Sequence, residues 1–186
     1  MSRTHSTRVV VTGIGTINAL GRSVDETWAG LLAARSGIGR IRRFDAESFG
    51  LKTWIAGEIS DFAGPSFAAG QAIERLDRCS QFALVAAHEA LLGAGLVVDA
   101  GNRDRVAVIM GAALGGTASL AHGVETLLTR GSRRVNALMF PKSMSNASAA
   151  AVSLYSGARG PAMTLNSACA SATDAIGIAA DLIRAG

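Results

Sequence analysis

One cysteine, Cys169 in the NSACAS run at residues 166–171, stands where a strand is predicted to end and a helix to begin. The apolar stretch at 162–166 is typical of a buried strand, and the apolar spacing over 169–185 predicts a helix. A sulfur at a helix N-terminus lies among unpaired amides at the positive end of the helix dipole. That environment favours the nucleophilic thiolate, and the same amides can bind the oxyanion of a thioester under attack. From position alone, a small cysteine that only packs is an equally good interpretation.

The other cysteine and the three histidines do not complete a catalytic set. Cys79 falls in the middle of a helix predicted over residues 76–92, on its apolar face, which favours a packing role. His5 is near the N-terminus, and His88 and His122 occupy helical positions typical of surface histidines, so no Cys–His pair is assigned. The two cysteines form no CxxC pair, so neither a metal site nor a disulfide framework is predicted.

A glycine motif near the N-terminus, TGIG at residues 12–15, follows a buried strand predicted over residues 8–12. It resembles part of a dinucleotide-binding fingerprint. The third glycine is missing, because Asn18 stands in its place, and the next glycine, Gly21, precedes the helix. A structural turn is therefore the preferred interpretation, a nucleotide-binding oxidoreductase is a distant alternative, and no cofactor is expected.

The elements predicted around these residues alternate between strands and helices, which indicates a parallel α/β sheet. Ser23 and Glu26 have the capping-box spacing, and the helix that follows has an apolar face of Trp28, Leu31 and Leu32. The remaining predicted elements are strands at 54–59 and 106–110, loops at 64–70 and 111–116, and helices at 119–128 and 141–155. A further strand is expected after the last helix, so the 186 residues are interpreted as an incomplete unit.

Composition places the chain among globular proteins. Hydrophobic residues make up 49% and aromatic residues 5%, with 22 glycines, which favours close packing of small residues in one domain or part of one. The net charge of +4 is scattered along the chain, so an acidic partner is compatible with it and nucleic acid is disfavoured. Residues 1–8 lack the apolar segment of a signal peptide, and no stretch is apolar enough for a membrane span, so a cytoplasmic location is expected.

Taken in order, these motifs resemble the β-ketoacyl-[acyl-carrier-protein] synthases, the type II condensing enzymes. The resemblance covers nearly the whole chain and is carried by RVVVTGIG at 8–15, the segment 28–38, FD at 44–45, the glycines at 111, 115 and 116, RGP at 159–161 and SACAS at 167–171. It implies a thiolase-like α/β fold, N-terminal part only, in which βαβ units pack helices on a mostly parallel sheet. Residues 1–186 are then an incomplete N-terminal part of a ketosynthase domain.

The resemblance also implies a reaction, with Cys169 as the nucleophile that takes an acyl group from acyl carrier protein. The malonyl-carrier partner then loses CO2, and its carbanion attacks the thioester in the decarboxylative Claisen condensation of fatty acid elongation. Because position 169 is Cys and not Gln, a condensing subunit is implied. A type II polyketide ketosynthase and a non-catalytic subunit that binds carrier protein remain alternatives.

Further roles are implied by the same resemblance. Among the acyl-pocket residues, Leu114 resembles the apolar gate of the pocket, and Met139 and Phe140 resemble residues of its wall. The surface that docks the acidic carrier protein is formed by Arg75, Arg133 and Arg134. Ordinary core packing and a solvated charge cluster are the respective alternatives. A homodimer without a cofactor or metal is implied. The family's two catalytic histidines and its lysine belong to a second half that these residues do not include, so the 186 residues alone are expected to be inactive.

Overall fold

The computed structural model describes residues 7–65, 67 and 73–186, which form an α/β arrangement of helices and short strands. The helices are α1 Val24–Leu32, α2 Arg78–Gly93, α3 Thr117–Arg130, α4 Met139–Ser143, α5 Ala147–Ser156 and α6 Ser171–Ala185. The strands are β1 Gly39–Arg40, β2 Ile55–Ala56, β3 Val108–Gly111 and β4 Ala162–Leu165. Single 3-10 turns occur at Ile73–Arg75, Arg103–Arg105, Ser132–Arg134 and Ala168–Ala170.

The predicted parallel topology is confirmed by β3 and β4, which pair in parallel with Val108 opposite Ala162. Three helices, α3 to α5, separate the two strands along the chain, as a crossover connection requires. Successive side chains of a strand point to opposite faces. Val108 and Met110 pack on the core formed with α2 and α5, whereas Gly111 faces Ser171 at the start of α6. Helices therefore cover both faces of the strand pair.

The buried core lies between α2 and α5 and is built largely from small side chains. Leu84 of α2 is 1% exposed and belongs to one cluster with Ala151 and Val152 of α5. Ser80 and Ser148 face each other across the same helices, with 3.2 Å between their hydroxyl oxygens. Small side chains let the two helix backbones approach closely, and the paired hydroxyls satisfy each other's hydrogen bonding.

The first helix begins as predicted, with Ser23 as the N-cap of α1. The Ser23 hydroxyl accepts a hydrogen bond from the Glu26 amide at 3.1 Å. The Glu26 carboxylate accepts a hydrogen bond from the Arg22 amide at 2.7 Å. In a capping box the donor is the amide of the N-cap residue, which here is Ser23. The predicted apolar face is present but uncovered, since Trp28 is 59% and Leu32 71% exposed.

The prediction of a buried strand over residues 8–12 is wrong for the described structure. No strand is formed there, and Val11 is 79% exposed. A strand needs a hydrogen-bonded neighbour, and the described residues place a helix beside this segment instead. A Cβ on Gly13 would lie 2.2 Å from the Ala90 carbonyl oxygen of α2, and one on Gly15 only 2.0 Å from the Ala86 carbonyl oxygen. These glycines therefore serve close packing on α2.

The helix predicted over residues 141–155 is two helices, α4 and α5, divided at Met144. Met144 has an extended backbone with ψ 144°, which ends α4. Its carbonyl oxygen and that of Ser143 face Gly115, where a Cβ would lie 2.4 and 2.2 Å from them. The break thus lets this part of the chain pass directly beside the glycine loop. At its other end, α5 stops at Gly157, which has a left-handed φ of 76°.

The surface strand predicted over 54–59 is shorter than expected, because only Ile55–Ala56 pairs, antiparallel, with Gly39–Arg40. The strand predicted at 106–110 is β3, and the helix predicted at 119–128 is the slightly longer α3. Most of the loop predicted at 64–70 lies outside the described residues. Within the described ranges, no helix combines the length and the apolar character that crossing a membrane requires.

Candidate functional site

Cys169 lies at the carboxyl end of β4, in the 3-10 turn Ala168–Ala170 that leads directly into α6. The predicted order of strand, cysteine and helix is therefore present, although α6 begins at Ser171, two residues later than expected. The Cys169 side chain is free and exposed. Ala170, the last residue of the turn, already has helical backbone angles. The sulfur is thus carried on a tight turn at the N-terminal end of a 15-residue helix.

The turn contains a strained residue immediately before the cysteine. Ala168 has a φ of +51°, in the left-handed region that non-glycine residues rarely adopt. Ser171, which is 3% exposed, holds it there. The Ser171 hydroxyl donates to the Ala168 carbonyl oxygen at 2.6 Å and accepts from the Ser167 amide at 3.0 Å. Such strain persists only where the surroundings fix it, so Ser171 determines where Cys169 is presented.

A second polar contact ties the turn to α6. The Ser167 hydroxyl donates to the Asp174 carboxylate, in the first turn of the helix. A carboxylate there also interacts favourably with the helix dipole. Asp174 was not identified from the sequence, although an acidic residue in a first helical turn is a recognisable signal.

The glycine loop, defined as residues 111–116, lies at the same edge of the sheet as Cys169. It follows β3, and the carboxyl ends of neighbouring parallel strands meet at one edge. The Asn166 side-chain amide donates to the Ala113 carbonyl oxygen at 2.7 Å and so joins the loop to the cysteine turn. Leu114, the predicted gate of the acyl pocket, is 71% exposed on this loop. The structure therefore brings the segments carrying Leu114 and Cys169 into contact.

The other two predicted pocket residues open α4 and have different surroundings. Met139 is half-buried against α3, where its sulfur occupies the space that a Cβ on Gly123 would need. It lines a cleft of about 100 Å³ between α3 and α4 that includes Thr126 and neither Leu114 nor Cys169. Phe140 is 67% exposed. Within the described residues, Met139 is thus packed against α3, whereas the side chain of Phe140 is exposed at the surface.

The predicted docking arginines are all exposed and lie around α3. Arg133 and Arg134 occupy the 3-10 turn that follows α3. Arg134 also lines the cleft between α3 and α4, together with Ser119 from the first turn of α3. Arg75 ends the 3-10 turn before α2, two residues from Asp77, whose carboxylate accepts a hydrogen bond from Ser119. The arginines therefore lie near the two ends of one helix.

Asp77, which the sequence patterns did not reveal, caps two helices at once. One carboxylate oxygen accepts from the Cys79 amide at 3.0 Å at the start of α2. The other accepts from the amide and the hydroxyl of Ser119, at 3.0 and 2.6 Å, at the start of α3. Burial by itself raises the pKa of Asp77, but these hydrogen bonds outweigh it and leave the pKa below its ordinary value. Asp before a helix is an N-cap signal, missed because apolar spacing set the predicted helix start.

Cys79 is the second residue of α2, in the first turn of the helix and not in its middle. The side chain is half-buried, and the Ser148 hydroxyl lies 3.9 Å from its sulfur. Burial, and then the negative charge of Asp77, raise the pKa of the Cys79 thiol. A half-buried thiol with a raised pKa suits packing and disfavours nucleophilic chemistry.

The two histidines within the described residues occupy different environments, and His5 lies outside those residues. His122 is exposed and lies 3.8 Å from the Glu125 carboxylate. The interpretation of His88 as a surface residue is wrong, because its ring stacks on Phe67 with 3.8 Å between centroids and its Nδ1 lies 2.6 Å from the Tyr155 hydroxyl. Helical spacing alone could not show that aromatic residues from distant segments converge on this position. Neither histidine contacts Cys169 in the described structure.

A parallel strand pair with helices on both faces, and a cysteine turn beside a glycine loop at one sheet edge, agree with the N-terminal part of a thiolase-like α/β fold. Residues 6–186 match the family described as "Beta-ketoacyl synthase, N-terminal domain". The chain belongs to the β-ketoacyl synthase family.

Similar proteins bear out this assignment. The chain is 34% identical over 186 residues to 3-oxoacyl-[acyl-carrier-protein] synthase 2 of Synechocystis sp., covering 100% of this chain and 44% of that protein. It is 35% identical over 176 residues to the protein of the same name from Coxiella burnetii, covering 95% and 42% respectively. The crystal structure of a β-ketoacyl synthase from Burkholderia phymatum STM815 superposes with a TM-score of 0.83 at 33% identity, covering 96% and 44%. The chain spans less than half the length of these relatives.

Proposed function

We propose that the chain is the N-terminal part of a β-ketoacyl-[acyl-carrier-protein] synthase in which Cys169 accepts the acyl group. The observation that carries the proposal is the family match over residues 6–186, with an exposed cysteine on a strained turn at the end of β4. The relatives named 3-oxoacyl-[acyl-carrier-protein] synthase 2 support a synthase that uses carrier protein. We propose fatty acid elongation as its pathway, with type II polyketide synthesis as the alternative. A cysteine at this position favours a condensing subunit over a non-catalytic one.

The proposed chemistry proceeds in two stages at one sulfur. First, the Cys169 thiolate attacks the carbonyl carbon of an acyl thioester; the new S–C bond forms as the bond to the carrier sulfur breaks, and the carrier leaves as a thiolate. In the second stage, malonyl-carrier protein loses its carboxyl group as CO2, and the electron pair of that C–C bond remains on the α-carbon. That carbon attacks the Cys169 thioester, which forms the β-ketoacyl product and releases the cysteine.

The proposed partner is acyl carrier protein, docked by Arg75, Arg133 and Arg134. Their exposure around α3 and the net charge of +4 support attraction of an acidic partner. Leu114, Met139 and Phe140 are proposed as acyl-pocket residues. We further propose that residues 1–186 are an incomplete N-terminal part of the ketosynthase domain, that the catalytic histidines and lysine lie outside it, and that the whole enzyme is a cytoplasmic homodimer.

The proposal is tested by acylation of the intact protein. Acyl-carrier-protein thioester is added without malonyl donor, and the adduct is mapped by peptide mass spectrometry. We expect one acyl group, on Cys169, and none in a Cys169→Ala variant. Cys79→Ala is the matched control and should be acylated like the wild type, because its thiol is half-buried with a raised pKa. Carrier-protein binding without any adduct on Cys169 would favour the non-catalytic subunit.

A further inference from the structure

The side chain of Asn166 bridges the cysteine turn and the glycine loop. Its Nδ2 donates to the Ala113 carbonyl oxygen at 2.7 Å, one residue before Leu114. Its Oδ1 accepts from the Ala168 amide at 3.3 Å, one residue before Cys169. One amide group therefore binds the backbone next to the proposed nucleophile and the backbone next to the proposed gate.

The two ends of the glycine loop are closely packed, whereas its middle is exposed. A Cβ on Gly111 would lie 2.4 Å from the Ser171 backbone, and one on Gly115 2.2 Å from the Ser143 carbonyl oxygen, so both ends are closely packed. Ala113 and Leu114 between them are exposed. The Asn166 side chain donates a hydrogen bond to this middle part, at the Ala113 carbonyl oxygen. The position of Leu114 relative to Cys169 thus depends on that contact.

We propose that Asn166 is a positioning residue that sets the acyl chain-length preference of transfer to Cys169, by tethering the loop that carries Leu114. The inference rests on the proposed function. With the tether in place, the loop that carries Leu114 stays joined to the cysteine turn. Leu114 then packs against a short acyl group on Cys169, while a long chain must displace it. Without the tether, the loop yields to a long chain more easily, and a short group loses its packing partner.

Two substitutions of Asn166 distinguish its hydrogen bond to Ala113, which is the tether, from its hydrogen bond to Ala168 in the cysteine turn. In Asn166→Ser, the hydroxyl can still accept from the Ala168 amide, as in a serine turn, but is too short to reach Ala113. In Asn166→Ala, both hydrogen bonds are lost. Asn102→Ala is the matched control: Asn102 also bridges two backbone groups, donating to the Val97 carbonyl oxygen at 2.8 Å and accepting from the Asp99 amide at 2.9 Å. It precedes β3 and so lies at the opposite strand end from Cys169.

The experiment measures transfer from acetyl- and palmitoyl-carrier protein to Cys169 in the intact protein by mass spectrometry. Because a hydrogen bond of ordinary strength is lost, the palmitoyl-to-acetyl rate ratio should rise about two- to tenfold in both Asn166 variants and remain unchanged in Asn102→Ala. A merely structural role would lower both rates together and leave the ratio constant.

The inference is overturned by an unchanged ratio in Asn166→Ser, or by an equal shift in Asn102→Ala. A shift in Asn166→Ala alone also overturns it, because it assigns the effect to the turn. If the wild type itself takes no acyl group on Cys169, the proposed function fails, and this outcome is distinct from a failure of the tether.

Discussion

At the residue scale, Asp77 joins the starts of α2 and α3 through one carboxylate. We expect Asp77→Asn to lower the free energy of unfolding by about 1–3 kcal/mol, because two helix caps weaken together. The folded-state pKa is lowered, so this stabilisation is present above the ordinary carboxyl pKa, about 3.9, and is lost as the pH falls through the folded-state pKa. Urea unfolding of the two proteins across the acid range measures the difference.

Asp104→Asn is the control for this prediction, since Asp104 is exposed in the Arg103–Arg105 turn. It should change the unfolding free energy by less than about 0.5 kcal/mol at every pH. A difference between wild type and Asp77→Asn that does not shrink in acid would show that the charge of Asp77 is not what stabilises the two helices.

The two thiols should differ in reactivity. Burial and the Asp77 charge raise the pKa of Cys79, whereas Cys169 is exposed on its turn. At neutral pH we expect iodoacetamide to alkylate Cys169 about tenfold faster than Cys79, with the Cys79 rate increasing steeply at alkaline pH. Peptide mass spectrometry over a time course gives both rates. A Cys169 rate no higher than that of a free model thiol would remove the support for activation of Cys169 by its position.

At the element scale, the two glycines of the TGIG motif at residues 12–15 allow this segment to pack closely on α2. A Cβ at Gly15 would lie 2.0 Å from the Ala86 carbonyl oxygen, so Gly15→Ala must push the segment away from α2. We expect a loss of about 1–3 kcal/mol in unfolding free energy. Gly39→Ala is the control, because no atom lies within 4 Å of its Cβ position. If the motif instead bound a dinucleotide, Gly15→Ala would abolish a binding signal in an NADH titration of the wild type.

Most elements were predictable because their signals are local. The Ser23 cap, the helix α2 and the strand β4 before Cys169 follow from spacing within a few residues. The break between α4 and α5 at Met144 and the absence of a strand at 8–12 depend on contacts with residues that are distant in the sequence. The spacing of apolar residues does not predict such contacts. The same limit applies to the site, since Asn166 reaches a carbonyl 53 residues away.

At the scale of the whole molecule, the distribution of exposed apolar side chains is the property that the sequence could not supply. The spacing of apolar residues predicts that a helix has an apolar face, but not which element covers that face. Several large apolar side chains are strongly exposed: Val11 (79%), Leu32 (71%), Leu128 (80%) and Leu154 (85%). We expect residues 1–186, expressed alone, to self-associate, bind a hydrophobic dye and show no condensation turnover. Size-exclusion chromatography and a malonyl-carrier turnover assay check this. A stable monomer with steady turnover would contradict it.

The positive charge that is scattered along the chain is expected to act mainly on association with an acidic partner. Charges at the rim of an interface steer association and are screened by salt, so we expect the KM of the intact enzyme for carrier protein to rise with ionic strength. Arg133→Ala and Arg134→Ala should each raise that KM about two- to fivefold at low salt, leave kcat nearly unchanged and reduce the salt dependence. Arg105→Ala is the control, because Arg105 is also exposed but lies before β3, at the opposite strand end from Cys169. An equal effect in Arg105→Ala would mean that net charge, and not a docking surface beside α3, attracts the carrier protein.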